Sequence, residues 1–451
     1  MTGSDAARLA RRRLAIGAIE SGSFKFAVGG LVHFWALFTK WTCEAGDFAG
    51  ITARFTMYTL IALTAAETVG GLVGASRVEK LARRKRFVTS AGLMTHGAWV
   101  AFGLSIPFVP RAWLMPMTLA LVGWRGFFDG LLIGPWLDLA ARVVPPEERA
   151  RFFSVRLFAG AIGLPLGGLV ANFYFRLFEG SPATYWSLLF VTAGLLAGAS
   201  DLARLAYPEP ETPVSGERRA RRLHHDLVDY FRVVLRDGRF LRLCVVTAVA
   251  GLAVTFAPFV LPLFGYQRLG MSESEYGAIV LLLQLSPIAA FVLLPRFVRR
   301  LGWRGTYALL LLHFAVAYGL MVAAAGADTA ARWVPLAIMS IAFVLMGLGS
   351  GWGFADANTL YGIASSEKRP SYIVVSRTIS NGIAMGVMCL AAGLGKRGLP
   401  YGAIFMALAA AFLFASLFLV FALRTREEDG EAVEKAADPP AAGGAPPANG
   451  A

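Results

Sequence analysis

Long apolar segments fill most of this chain, and the gaps between them alternate between gaps rich in Arg and Lys and gaps with almost none. The rich gaps follow the second, fourth and sixth segments. They contain Arg77, Lys80, Arg83, Arg84, Lys85 and Arg86, then Arg142, Arg149, Arg151 and Arg156, and then a run from Arg204 to Arg242. The gaps between them offer Arg111, Arg176 and Arg268. Such alternation is the positive-inside pattern of a chain that crosses a bilayer many times.

The composition also indicates a membrane protein. Hydrophobic residues make up 56% and charged residues 16% of the chain, whereas soluble domains have about 45–50% and about 25%. The net charge of +14 lies largely in short gaps between apolar segments. We therefore interpret it as contact with an anionic lipid surface and expect no nucleic-acid partner. Cys43, Cys244 and Cys389 form no disulfide framework.

A helix needs about 20 apolar residues to cross the hydrocarbon core, and the chain offers twelve such segments. They cover residues 14–38, 55–76, 87–108, 113–141, 157–177, 185–207, 241–264, 276–296, 306–325, 334–363, 376–394 and 401–423. Four arginines precede the first segment, and the even number places both termini on the same side. The sequence thus predicts an all-α, multi-pass protein of the inner (cytoplasmic) membrane with cytoplasmic termini.

Four regions follow from these segments. We predict a six-helix bundle over residues 1–207, a cytoplasmic linker over 208–240, a second six-helix bundle over 241–426 and a disordered tail over 427–451. The linker begins with a Pro- and Glu-rich stretch, and apolar residues then recur at helical spacing, which predicts an amphipathic helix at the membrane surface. The tail is rich in Glu, Pro, Ala and Gly, which is typical of disorder.

The two bundles repeat each other at a spacing of 220 positions. Leu81 and Leu301 occupy equivalent places in two basic gaps, and Asn358 and Arg369 lie at the same spacing after Asp138 and Arg149. Both matches join gaps of the same parity, which favours a parallel duplication of six spans.

These motifs resemble the major facilitator superfamily, whose members have two parallel-repeat halves. The gap after the second span reads Gly71-Leu72-Val73-Gly74-Ala75-Ser76-Arg77 and ends in Arg83-Arg84-Lys85-Arg86. The segment from Asp138 to Phe153 is similar to the connection between the fourth and fifth spans of bacterial members. The resemblance implies twelve spans, alternating access and a small-molecule substrate, with no enzymatic activity and no cofactor. We expect a monomer.

Ionisable residues inside the predicted spans are the first candidates for function, since each costs about 2.5–3.5 kcal/mol to insert. Arg125 and Asp129 are four residues apart, so they share a helix face and can pair. The pair either orients its helix or faces the central cavity and meets an anionic or polar solute. Lys25 supports the second interpretation, because the resemblance places the first and fourth spans around one cavity. Gln284 is the polar cavity candidate of the second half.

Three further charges leave alternatives open. Lys25 could pair with Glu67 or Asp129 across helices. Glu67 and Glu20 are candidates for a coupling proton, because a buried carboxyl group holds its proton more readily than an exposed one. The alternative for both acids is a structural hydrogen bond or a carboxylate that snorkels to the membrane interface.

A third group of charges predicts a cytoplasmic gate. Asp138 ends the fourth span, and we expect an arginine of the neighbouring gaps to hold it there. Asp356 and Arg377 occupy similar places in the second half. The candidate gate residues are Arg83, Arg84, Asp138, Arg149, Arg156, Asp356 and Arg377.

The sequence therefore favours a secondary transporter of a small polar or anionic solute, coupled to protons. A glycine-rich phosphate loop followed by Lys is absent, and so is a metal-ligand spacing, so we expect neither an ATP motor nor a metal site. A multidrug/proton antiporter is the alternative within transport. A membrane sensor or assembly protein without transport is the alternative of another class.

Overall fold

The computed structural model describes residues 3–31, 35–45, 52–78, 80–209, 228, 231–232, 234–271, 273–327, 331–364, 369–394 and 401–422. Within these ranges the chain is helical, without strands, and each of the twelve predicted spans falls on helix. Most of the predicted linker and the whole predicted tail lie outside the described residues.

The first half of the molecule consists of seven helices that provide six spans. They are α1 (Gly3–Leu31), α2 (Trp35–Ala45), α3 (Thr52–Val78), α4 (Lys85–Ser105), α5 (Arg111–Val143), α6 (Pro146–Leu177) and α7 (Pro182–Ala203). The predicted first span is divided between α1 and α2. Helix α1 packs on α6 and α7, α3 on α5, and α4 on α7. We call the side of the bundle where α3, α5 and α7 end the arginine-rich side.

The second half contains α8 (Gly238–Leu263), α9 (Glu273–Gly326), α10 (Trp333–Gly349), α11 (Trp352–Ile363), α12 (Arg369–Leu394) and α13 (Tyr401–Ala422). Helix α9 contains two spans, and its two arms meet at Gly302, where φ is 66° and ψ is 179°. That backbone conformation is essentially restricted to glycine, so Gly302 makes the turn between the eighth and ninth spans. Helices α10 and α11 together form the tenth span.

Seven helical stretches are long and apolar enough to cross a membrane in the described part of the chain, and one of them covers both arms of α9. Leucine, phenylalanine and tryptophan side chains remain exposed along α5, α6, α7 and α13. Exposed apolar surface of this kind suits a lipid environment.

The two halves meet along two pairs of helices, α3 with α12 and α6 with α9. Within the first half, glycines bring α1 against α6 and α3 against α5 at very short distance. Small residues at such contacts are the usual means by which membrane helices approach closely. The charged residues of the spans are thereby fixed in position around the seam between the halves.

Candidate functional site

The predicted pair on α5 is present in the structure. Arg125 Nε lies 3.1 Å from Asp129 Oδ2, and the two side chains are 19% and 30% exposed. The guanidinium of Arg125 also lies over the ring of Trp99, at 4.8 Å from the ring centroid. This cation–π contact fixes one face of the guanidinium, while the exposed part of the pair stays open to a solute.

Glu67 lies beside this pair, at the seam between the two halves. The charges that act on its carboxyl group are those of Arg377, Asp129 and Arg125, and Asn381 hydrogen-bonds to it. The next residue, Thr68, accepts a hydrogen bond of 3.2 Å from the side-chain amide of Asn381. Arg377, predicted as a gate residue, therefore lies near Glu67 as well as near Asp356.

A small cavity opens between these side chains. It is lined by Glu67, Thr68, Gly71 and Ile133 of the first half and by Ile373, Val374, Arg377, Thr378 and Asn381 of the second half. Its free space is about that of one water molecule. The halves therefore touch here through a polar contact with room for a water.

Glu20 is fully buried and has four partners. Its carboxylate lies 2.8 Å from Arg204 Nε and 3.4 Å from an amino group of Arg156. It accepts hydrogen bonds of 2.9 Å from the indole of Trp136 and 2.9 Å from the hydroxyl of Tyr207. These contacts join α1, α5, α6 and the end of α7, which favours the structural alternative for Glu20.

Asp201 extends the same cluster into the interior of the first half. It lies 2.6 Å from Arg204 and 2.6 Å from Nδ1 of His96. Asp201 and Arg204 are not among the charges predicted within the spans. Their spacing of three residues on a predicted helix was the available signal.

Lys25 and Gln284 lie on the faces of α1 and α9 that pack against α6. The described residues hold no ion pair between Lys25 and either Glu67 or Asp129, so the suggested pairing is absent. The reason is that α1 packs mainly on α6, and the stem of Lys25 rests on Gly160. Gln284 is buried against Gly168 at the seam between the halves.

The predicted acid of the gate, Asp138, is held by two arginines. Arg84 lies 2.8 Å and Arg142 2.9 Å from its carboxylate. Arg83 is exposed, and Arg156 is directed to Glu20. Of the three arginines that the sequence offers for Asp138, Arg84 is therefore the one that holds it, because Arg156 lies on the face of α6 that packs against α1.

The two halves touch on the arginine-rich side through uncharged groups as well. The hydroxyl of Tyr361 donates a hydrogen bond of 3.0 Å to the carbonyl of Leu137. The guanidinium of Arg149 lies 5.6 Å from the ring centroid of Tyr361. The rings of Phe153 and Phe354 are 5.1 Å apart.

The acid of the second half is held differently from Asp138. Asp356 accepts a hydrogen bond of 2.6 Å from the hydroxyl of Thr247 on α8. Arg377 is the cation whose charge acts on it. Asp138 and Asp356 thus occupy similar places in the two halves, but arginines contact the first and a threonine hydroxyl donates a hydrogen bond to the second.

Glu209 is a further residue that the sequence analysis did not single out. Its carboxylate accepts hydrogen bonds of 2.6 and 3.0 Å from the backbone N–H groups of Arg84 and Lys85. These groups begin α4 and have no partner within that helix. Glu209 thereby ties the start of the linker to the basic gap after α3.

Twelve spans in two halves, with charged side chains where the halves meet, define a polytopic membrane transport protein. The sequence profile of the Major Facilitator Superfamily matches residues 28–361, well over half of the 451 residues. The chain therefore belongs to the major facilitator superfamily, as its motifs predict.

Solved structures of transporters have the same fold. A proton:xylose symporter, XylE, bound to 6-bromo-6-deoxy-D-glucose is 15% identical, with 95% of this chain and 99% of that chain covered and a TM-score of 0.72. The human organic anion transporter MFSD10 is 15% identical over 91% and 99%, with a TM-score of 0.65. A bacterial homologue of the iron transporter ferroportin is 18% identical over 91% and 98%, with a TM-score of 0.63. No curated protein sequence matches the chain significantly.

Proposed function

We propose that this chain is a secondary transporter that moves a small polar or anionic solute by alternating access, coupled to protons. The supporting observation is the group of charges at the seam, where Arg125, Asp129 and Glu67 of the first half lie near Arg377 of the second half. Rocking of one half against the other would open and close this group to either side. A solute or proton bound to these charges would then be accessible from one side of the membrane at a time.

The solute would bind where the cavity candidates have exposed charge. Arg125 is held by Asp129 on one side and by the Trp99 ring on another. An anionic or hydroxyl-rich solute would replace Asp129 as the hydrogen-bond partner of the guanidinium. The planar set of N–H donors of a guanidinium suits carboxylate and phosphate groups. Lys25 and Gln284 would contact the solute from α1 and α9.

Glu67 is the proposed proton carrier. Arg377 belongs to the other half, so separation of α3 from α12 would remove its charge from the Glu67 carboxylate. A carboxylate that loses a cationic neighbour binds a proton more readily. Glu20 is a weaker candidate, because its four partners all belong to the first half and would move with it. XylE, similar in fold, is described as a proton symporter.

The arginine-rich side would be the cytoplasmic side, with both termini there and the chain embedded as a monomer in the inner membrane. The gate would combine the Asp138 ion pairs within the first half with the contacts of Tyr361 and Phe354 across the seam. The first group would fix the ends of α4 and α5, and the second would separate when this side opens.

Transport into proteoliposomes tests the proposal. A panel of short carboxylates, sugar phosphates and free sugars is offered with and without an imposed pH gradient. We expect uptake of at least one solute to rise with the gradient, Arg125→Gln to abolish it, and Glu67→Gln to remove its response to the gradient.

Arg111→Gln is the matched control, because Arg111 begins the same helix and is exposed. Transport equal in the Arg125 and Arg111 variants would exclude Arg125 from the solute site. If no solute in the panel moves and none raises the unfolding temperature, the protein belongs with the non-transporting alternatives.

A further inference from the structure

The buried charges around the second half of α1 do not cancel. The cluster contains two acids, Glu20 and Asp201, and three cations, Lys25, Arg156 and Arg204. Arg204 contacts both acids and Arg156 contacts Glu20. His96 hydrogen-bonds to Asp201 and adds no negative charge in either protonation state. The cluster therefore carries at least one positive charge in excess, and that charge belongs to Lys25.

Lys25 and Arg156 are brought together by the packing of α1 on α6. Gly160 lies one turn beyond Arg156 on the same face of α6, and a side chain there would collide with Ser21 and with the stem of Lys25. The charge that acts on Lys25 in the described part of the chain is that of Arg156. Two cations thus lie near each other in a largely buried place, although Coulomb repulsion and desolvation both oppose this arrangement.

Arg156 also has an unused donor. Its guanidinium lies 4.2 Å from the ring centroid of Trp136 and 5.8 Å from that of Phe354, and one amino group reaches Glu20. Its buried Nε has no hydrogen-bond acceptor among the described residues. A buried N–H without an acceptor is uncommon in proteins, so each case requires an explanation.

We infer that Lys25 and Arg156 form a binding site for the carboxylate group of a monoanionic solute. With His96 neutral, a single negative charge balances the excess of the cluster, whereas a dianion would reverse it. A carboxylate presents two oxygens, so that one can accept from the ammonium of Lys25 and the other from Nε of Arg156. Phe354 brings the second half against the same guanidinium, so a bound carboxylate would lie at the contact between the halves.

The inference deepens the proposed function, since Lys25 is one of its cavity candidates. It assigns the anion to Lys25 and Arg156 and leaves Arg125 to the uncharged part of the solute. Arg156, predicted as a gate residue, becomes a residue that binds the solute.

The binding test uses the purified full-length chain in detergent and needs no transport. Thermal unfolding is followed while acetate or benzoate replaces chloride at constant ionic strength, with sulfate as the dianion for comparison. We expect saturable stabilisation by the carboxylates and a weaker response to sulfate. Lys25→Met should raise the apparent Kd for acetate at least about tenfold, or 1.4 kcal/mol, and Arg156→Lys should do the same while keeping the charge beside Glu20. Lys40→Met, at an exposed lysine of α2, should respond as the wild type does.

A second measurement separates binding from a packing role of Lys25. Without carboxylate, Lys25→Met should unfold at a higher temperature than the wild type, because the uncompensated charge is gone. A lower unfolding temperature together with an unchanged carboxylate response would overturn the inference.

The two proposals fail in different ways. Transport of a solute with unchanged acetate affinity in both the Lys25 and Arg156 variants would overturn the carboxylate site and leave the proposed function standing. Carboxylate binding that depends on both residues, without transport of any solute, would support the site and contradict the transporter.

Discussion

Gly130 on α5 offers a sharp test of how the first half is held together. A Cβ atom built at this position would collide with the carbonyl oxygen of Glu67 and would lie 2.7 Å from the backbone nitrogen of Gly71. Real Cβ atoms essentially never come closer than 3.0 Å to such atoms. The substitution Gly130→Ala therefore has to move α3 away from α5, since both colliding atoms belong to the backbone.

The expected magnitude follows from two opposed effects. Forcing one extra carbon into a packed interior costs about 1–3 kcal/mol. Replacing glycine by alanine inside a helix gains about 0.8–1.0 kcal/mol. Gly130→Ala should therefore lose roughly 1 kcal/mol of stability relative to the wild type. Gly123 is in the same helix and has no atom within 4 Å of its built Cβ, so Gly123→Ala should keep the gain alone.

The assay compares both variants in one detergent. Thermal unfolding should place Gly130→Ala below the wild type and Gly123→Ala at or above it, with a gap of about 2 kcal/mol between the variants. Because the collision is with the backbone of Glu67, proton-driven uptake should also fall in the Gly130 variant.

An equal unfolding temperature for Gly130→Ala and Gly123→Ala would refute the reasoning. It would mean that α3 and α5 are not in backbone contact at this point, and that the position of Glu67 beside Arg125 and Asp129 has another cause.

Three further changes test separate contacts. Glu20→Gln should lower the free energy of unfolding by about 3–5 kcal/mol, because two buried arginines lose their carboxylate. Glu148→Gln, at a half-exposed partner of Arg13, should lower it by about 1 kcal/mol or less. Denaturant titration of the two variants measures the difference. Tyr361→Phe removes the hydrogen bond to Leu137, which contributes about 1 kcal/mol of stability. Cysteines engineered beside this contact should then be labelled faster from the arginine-rich side. Unchanged labelling would exclude the contact from the gate. Glu209→Ala removes the carboxylate at the start of α4 and should cost about 1 kcal/mol, measured by thermal unfolding; no loss would show that water replaces it.

The Arg125–Asp129 pair was predictable from the sequence, because both residues belong to one helix and a spacing of four fixes their relation. The partners of Lys25 were not predictable in the same way. The sequence identifies Lys25 as a charge in the first span, but its neighbours depend on which face of α1 meets α6. Two charges on different helices have no fixed distance until the helices pack.

The arginines near Asp138 illustrate the same limit. The sequence places Arg83, Arg84 and Arg156 in gaps on the same side of the membrane, and each could reach an acid there. The path of the loop before α4 then decides between neighbours, since Arg84 is buried and Arg83 is exposed. The packing of α6 against α1 directs Arg156 to Glu20.

Some sequence signals were present but were outweighed. Asp201 and Arg204 form an i, i+3 pair near the end of a predicted span, and this spacing indicates that the two side chains can pair. Glu209 belongs to a Pro- and Glu-rich stretch with the composition of an extended linker. Its role as a helix cap depends on the start of α4, which is far away in the sequence.

The sequence by itself determined the number of spans, the duplication and the family, because each depends on hydropathy, charge and spacing along one chain. Hydropathy and charge are properties of each segment of the chain. Every span has to satisfy the bilayer by itself, so its apolar composition can be seen in the sequence alone. The tertiary structure alone decided which charges meet: Glu67 with Arg377 across the seam, Glu20 with two arginines, and Lys25 with no acid among the described residues. These contacts depend on the rotation and separation of packed helices, which glycine contacts between backbones fix for α1 on α6 and for α3 on α5.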